Sequence, residues 1–340
     1  MNKNLYYIIA GEPSGDLHGE SLMNEIKSVN PDINFKGLGG PLMQGAGLKT
    51  SIDFQRLSVM GFWEVLKDIS FFLKLKKNIL QSILESKPEK IILIDYPGFN
   101  LSLAKSLKSI INIPIIYYIS PQVWAWKKKR VYAIKKYVDE LIVVFPFEVD
   151  WFKKYNLNVK FFGHPLIDQS KSLLIKEKDI ESKTIALFPG SRMQEIKKHL
   201  PILNQTAKLL KQKNPKLDFI LNVPPNISID MIQSLVNQNI KVVQKKSSDI
   251  FLASSAAIVT SGTATLECAI SNTPFVVIYK TSFVSWLIAK LFLSVPFICI
   301  VNLLANKKII PELIQKKSNP QNISQHLLSI MDNPENMKND

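Results

Sequence analysis

The residues best suited to chemistry fall in five short turns. Pro189-Gly-Ser-Arg192 and Val259-Thr-Ser-Gly-Thr-Ala-Thr-Leu-Glu267 each join a short apolar run to a helical pattern. A helix that starts there aims free backbone N–H groups, and the positive end of its dipole, at whatever docks above it. Phosphate is the usual guest of such a site. Gly190, Ser191 and Arg192 make one candidate; Ser261, Gly262, Thr263, Ala264 and Thr265 make the other. Arginine is disfavoured at the positive end of a helix dipole, so Arg192 argues for an anion there. Its guanidinium can fork two donors onto a diphosphate. Glu267 lies one turn further in, where a carboxylate can accept from a ribose diol. The plain alternatives are an N-cap, a surface arginine and a helix-surface glutamate, because strand–turn–helix units are common.

Three more turns carry ionisable or stacking groups. Gly11-Glu-Pro-Ser-Gly-Asp-Leu-His-Gly19 gathers Glu12, Asp16 and His18 at the end of a strand. That set suits proton transfer; capping and solvation are the alternative. Its glycines are four apart, which is not the dinucleotide fingerprint, so a dehydrogenase is disfavoured. Asp95, in Ile94-Asp-Tyr-Pro-Gly-Phe-Asn100, ends an apolar strand. It can serve as general base, bind a sugar hydroxyl, or simply bond nearby backbone N–H groups. Ser120-Pro-Gln-Val-Trp-Ala-Trp-Lys127 runs into Lys128-Lys-Arg130 and pairs stacking surfaces with charge. No recognised nucleic-acid module surrounds it, so structural tryptophans beside solvated lysines are preferred over nucleic-acid binding. Contact with a phosphorylated or lipid substrate stays open.

The elements that must position these turns alternate strand and helix. Strands are expected at 5–10, 34–38, 90–95, 113–119 and 140–145, then at 184–188, 218–223, 240–243, 256–260 and 275–279. The helix after the first strand is expected to be capped by Ser14, and the one after Arg192 to run over 195–212. This is the pattern of two doubly wound parallel α/β sheets, simplest as two Rossmann-like domains facing across a cleft. The expected domains are 1–168 and 169–319, with a polar linker over 169–183. The C-terminal helix, about 320–335, is the candidate to cross back to the first domain.

A chain of 340 residues with 46% hydrophobic and 21% charged residues has the material for two well-cored domains. A net charge of +15 calls for an anionic partner, although part of it reflects a general preference for Lys. Cys268 and Cys299 form no disulfide framework, and with no signal peptide in view this argues for a reducing cytosol. The four histidines are scattered and no Asp-x-Asp pair exists, so no metal or cofactor is expected. The uncharged run 291–306 is too short and too broken to span a bilayer. In 58–84, Phe62, Val65, Leu66, Ile69, Phe72, Leu73, Ile79, Leu80 and Ile83 share one helical face. Trp63, Lys67, Phe71 and Lys74 fall on the other, the pattern of a helix lying on a membrane surface; a helix packed on both sides is the alternative.

Together and in order, seven motifs resemble the lipid-A-disaccharide synthases. They are Gly11-Glu-Pro-Ser-Gly-Asp16, Ser58-Val-Met-Gly61, Ile94-Asp-Tyr-Pro-Gly-Phe-Asn100, Ser120-Pro-Gln-Val-Trp-Ala-Trp126, Gly163-His-Pro165, Pro189-Gly-Ser-Arg192 and Ser261-Gly-Thr-Ala-Thr-Leu-Glu267. The resemblance covers the chain to about Glu312. It implies a GT-B glycosyltransferase that joins UDP-2,3-diacylglucosamine to 2,3-diacylglucosamine 1-phosphate, without metal, at the cytoplasmic face of the inner membrane. It implies UDP at Gly190–Arg192, Ser261–Thr265 and Glu267, and the acyl-sugar acceptor at the first-half turns. Many members carry a second aspartate where this chain has Gly98. Asp95 is therefore taken as the base, with Glu12 and Asp16 as alternates. Rival readings are another GT-B enzyme using UDP-GlcNAc, a UDP-sugar epimerase, a nucleotide sensor without turnover, and a nucleic-acid protein. Acyl-chain length and oligomeric state are not encoded legibly.

Overall fold

Short runs of Ile, Val and Leu, buried on both faces, make the strands, as parallel sheets require. The computed structural model describes residues 2–52, 54, 69–170, 182–225, 227–282, 286–287 and 295–332. Its contacts divide the chain into two units, Met1–Pro165 and Leu166–Asp340.

In the first unit the described strands are β1 (Asn2–Ala10), β2 (Asn34–Leu38), β3 (Leu48–Lys49), β4 (Pro88–Ile94), β5 (Ile115–Tyr118), β6 (Glu140–Val143) and β7 (Lys160–Phe161). They pair in the order β3-β2-β1-β4-β5-β6-β7, and every pairing is parallel. In the second unit β8 (Thr184–Phe188), β9 (Asp218–Asn222), β10 (Ile240–Val243), β11 (Ala256–Thr260), β12 (Phe275–Tyr279) and β13 (Glu312–Ile314) take the order β10-β9-β8-β11-β12-β13. Both are Rossmann-like. In each, the chain winds outward one way from the first strand, then returns to its other side. The points where the order reverses lie between β1 and β4 and between β8 and β11. In open α/β sheets, ligands bind beyond the carboxyl ends of the strands at such points. The turns after these four strands are those carrying Glu12, Asp95, Arg192 and Gly262.

Each sheet is covered by helices whose apolar stripes form the core. The Ile69–Ser86 helix buries Leu75, Ile79 and Ile83 against β1, β4 and the helix Pro97–Lys108. Its phase differs from expectation: Ile69 and Leu73 are exposed, and unanticipated Leu75 is buried. Over the described part of 58–84, the row of residues 75, 79 and 83, spaced four apart, meets the core in place of the broader stripe read there. Of that stretch, residues 58–68 lie outside the described residues, as do 171–181 of the expected linker. The C-terminal helix Pro320–Asp332 places Ile323, Leu327 and Ile330 in the second core, beside Ile185, Ile258 and Leu203. Its apolar face packs within the second unit. The first helix begins at Pro13 with Glu12 as N-cap, not Ser14, because proline at the first helical position presets the backbone.

Candidate functional site

In the first unit the turn after β4 is held under strain. Asp95 and Tyr96 both have left-handed backbones, with φ of 43° and 47°. Such residues cost on the order of 1 kcal/mol or more each and persist only when their surroundings over-determine them. Here the clamp is explicit. The Asp95 carbonyl accepts from the Tyr117 hydroxyl and from Asn100 Nδ2 at 2.8 Å, and the same amide reaches the Ile94 carbonyl at 3.1 Å. Asn100 is fully buried. The Tyr96 ring lies over Gly11, where any Cβ would meet it at 2.3 Å, so the turns after β1 and β4 interlock.

Asp95 and Glu12 are brought together. Burial pushes the Tyr117 hydroxyl well up, the Asp95 carboxylate adds to this, and Arg130 and Glu12 also act on it. Two carboxylates and a guanidinium thus lie within electrostatic reach of the Tyr117 hydroxyl. Arg130, read from sequence only as part of a basic run, is half-buried and stacks 5.5 Å from the Trp126 ring centre. The two tryptophans have different jobs. Trp126 is 40% exposed under Lys127 and Arg130. Trp124 is buried and donates to Glu148 at 2.9 Å, with the Val144 and Phe145 N–H groups completing that carboxylate's shell.

Asp16 has its own backbone partners. It is buried, and its two oxygens accept from the Leu42 and Met43 N–H groups at 3.1 Å each, capping the Pro41–Gly45 helix. These bonds tie the turn after β1 to that helix. Burial pushes its carboxyl up, opposed by these bonds. Glycines 15 and 19 serve packing: a Cβ on Gly15 would press Ala10, and one on Gly19 would meet Met43 Sδ at 2.4 Å. His18 lies 6.1 Å from His164, ring centre to ring centre, and its buried Nδ1 has no hydrogen-bond partner.

In the second unit the turns after β8 and β11 adjoin, because those strands pair through Val259 and Phe188. The helix Met193–Lys213 starts at Arg192 with no side-chain cap. Gly190 has φ of +121°, a conformation that glycine tolerates and that a side chain would strain. The anion inferred at Arg192 has a counterpart within the chain. Glu195, one turn on, accepts from the Ser191 N–H at 3.1 Å and lies 3.9 Å from the Arg192 guanidinium. The helix Thr263–Ile270 starts at exposed Gly262, φ +156°, again without a side-chain cap. Two of the hydroxyls expected to face a ligand turn inward: Ser261 donates to the Ile298 carbonyl at 2.8 Å, and Thr265 to the Gly262 carbonyl at 2.7 Å. Thr263 is exposed and Ala264 half-buried beside the free helix start. Glu267 is half-buried; burial pushes its carboxyl up, against a hydrogen bond from Ser247.

Two groups that spacing did not reveal hold these turns. His199 accepts the Lys280 N–H at Nε2, 2.9 Å, so its proton sits on Nδ1, which donates to the Pro189 carbonyl at 2.7 Å. Burial holds its pKa down, keeping it neutral. Thr260, 3.2 Å from the same ring, donates to the Phe188 carbonyl at 2.9 Å. One histidine thus ties the ends of β8, β11 and β12. Glu312 accepts from the Ile298 and Cys299 N–H groups at 3.1 and 3.0 Å and from Asn302 at 2.8 Å, fixing the segment that Ser261 bonds.

The family model described as lipid-A-disaccharide synthetase matches residues 6–340. The chain belongs to the lipid-A-disaccharide synthetase family. Lipid-A-disaccharide synthase 1 of Legionella pneumophila (strain Philadelphia 1) is 39% identical over 347 residues, covering 99% of this chain and 90% of that protein. The synthase of Coxiella burnetii (strain CbuK_Q154) is 36% identical over 340 residues, covering 98% and 90%. Among solved structures, the UDP-GlcNAc 2-epimerase of Neisseria meningitidis bound to UDP-GlcNAc has a TM-score of 0.64 at 13% identity, over 98% of this chain and 92% of that one. The calicheamicin glycosyltransferase CalG4 has a TM-score of 0.59 at 12% identity, over 99% and 92%. At such identities they show the fold alone, the GT-B type. As a lipid-A-disaccharide synthetase family member the chain is a glycosyltransferase of lipid A biosynthesis, and the rival transferase and epimerase readings are not favoured.

Proposed function

We propose that the protein transfers the sugar of UDP-2,3-diacylglucosamine to the 6-hydroxyl of 2,3-diacylglucosamine 1-phosphate. The observation that carries the donor half is the pair of uncapped helix starts at Arg192 and Gly262, on adjoining strand ends. These helix starts and Arg192 suit a diphosphate, and Glu267 suits the ribose. The acceptor is assigned to the first unit's turns, with Asp95 as base. The acceptor O6–C1 bond forms as the C1–phosphate oxygen bond breaks, with inversion. The hydroxyl proton passes to Asp95, and UDP leaves with the electron pair. Arg192 and the helix starts stabilise the charge that builds on the leaving diphosphate. Glu12 and Arg130 set the field around Asp95. Asp16 acts only by positioning the turn.

Contact with the cytoplasmic face of the inner membrane through 58–84 belongs to the same reading. Ile69, Leu73 and Lys74 are exposed on its described part, and no helix among the described residues is long and apolar enough to cross a membrane.

The test is product formation from labelled donor, acylated or deacylated, with the acylated acceptor. Turnover of the deacylated donor at a comparable rate overturns the substrate assignment. Asp95→Asn is expected to lower turnover by about 10²- to 10⁴-fold with UDP affinity unchanged; a loss of binding alone reassigns Asp95.

A further inference from the structure

Beside the β3 edge of the first sheet, under the Ile69–Ser86 helix, lies a cavity of about 260 Å3. None of Glu12, Asp16 or Asp95 lines it. The strand register explains its character. Tyr7 pairs with Lys36, and Lys36 with Lys49, so the three stand in one row on the same sheet face. Like charges on neighbouring strands repel. Lys74 brings a third ammonium from the facing helix, and no Asp or Glu among the described residues lines the space. None of the three lysines has an ion-pair partner among the described residues. A buried polar floor completes it: Tyr7, 2% exposed, is hydrogen-bonded to Ser82. Ile52 and Phe71, both half-buried, also line it, and on the same helix as Phe71 Leu73 is 63% exposed. Three lysines and two apolar side chains lining one cavity match a phosphate attached to something greasy, and match a free nucleotide poorly.

We propose that this cavity binds the headgroup phosphate of an anionic phospholipid, as a site separate from the turns that handle donor and acceptor. The proposal rests on the membrane-contact reading above and gives it a defined anchor. Lys36, Lys49 and Lys74 neutralise the phosphate, while the chains leave past Ile52 and Phe71 toward the bilayer.

The probe is monomeric dihexanoyl-phosphatidylglycerol, titrated calorimetrically into the full chain, with inorganic phosphate as competitor. One saturable site is expected. Lys36→Gln with Lys49→Gln should weaken it about 25-fold, or about fivefold per lysine. Asn78→Phe, which fills the cavity from the helix without changing charge, should abolish it. Lys208→Gln with Lys241→Gln, exposed in the second unit, should leave it unchanged. Equal losses in both double variants, or undiminished binding by Asn78→Phe, overturn the site in favour of diffuse charge. Phosphate that competes weakly supports the lipid source; phosphate that binds as tightly as the lipid overturns it. UDP titration of the same variants should not change. A failure of this site is thereby separable from a failure of the nucleotide reading.

Discussion

Lowering the pH from 7 to 5 is expected to weaken the first unit through His18 and His164. His18 is 5% exposed, with no partner for Nδ1. Burial, then the neighbouring His164, holds its pKa down at about 4. Burial alone does the same to His164, also to about 4. Both titrate near 6.5 in an unfolded chain. The folded values lie below the unfolded ones, so between about 6.5 and 4 the unfolded chain binds more protons. Stability is fully present above that window and is lost as pH falls through it. A shift of that size removes about 2 kcal/mol per ring at pH 5. The rings are close enough to titrate as a coupled pair, so the joint loss is about 2 to 4 kcal/mol. A domain holds only about 5–15 kcal/mol in total, so the effect is measurable. Asp16 and Glu148, whose carboxyls burial pushes up, work in the opposite direction. The informative quantity is therefore a difference. Urea unfolding at pH 7 and pH 5 is compared for wild type and His18→Gln, with Trp fluorescence as readout. The acid-induced drop should be about 2 kcal/mol smaller in the variant. Equal drops would show that the buried imidazole carries none of the acid sensitivity.

Arg192→Ala should leave the fold intact, since the side chain is 48% exposed, and cut turnover about 10²- to 10³-fold; near-normal rates would contradict its diphosphate role. His199→Leu strands the Pro189 carbonyl and the Lys280 N–H, at about 1–3 kcal/mol each. UDP affinity should fall with stability, and His199→Gln, which can both donate and accept, should recover part of each; no recovery would mean the ring matters only for packing. A Cβ at Gly98 meets nothing within 4 Å, and an acid suits the first turn of the Pro97–Lys108 helix. Gly98→Asp should therefore fold normally and change turnover by less than tenfold, short of the roughly 10²–10⁴ a base contributes. A larger gain would move the base from Asp95 to that position.

The turns after β1, β4, β8 and β11 were legible because small residues, prolines and carboxylates interrupt β-branched runs there. The reversal of strand order that makes these ends special was not, since it is a property of pairing between distant segments. Strands β3, β7 and β13 span two or three residues, too few for any period to register. His199 looked like a stray histidine because its partner Lys280 is 81 positions away. Asp16 read as a candidate acid because the N–H groups it caps belong to a helix 26 and 27 residues on. Arg192 was found by its electrostatic misplacement, yet the same logic missed Glu195. A carboxylate three residues into a helix is so ordinary that nothing marks it as reaching back to the turn. The face of the Ile69–Ser86 helix was misassigned at Ile69 and Leu73 because apolar spacing alone does not say which stripe meets the sheet.

Glu195 leaning over Gly190 and Ser191 makes the turn a guarded seat rather than an open one. On the proposed function, an anion seated there replaces a tethered carboxylate that cannot diffuse away. A lone inorganic phosphate has few contacts with which to do so, whereas a nucleotide brings two phosphates and a ribose. On the same proposal, the carboxylate is at hand to refill the turn as the nucleotide departs.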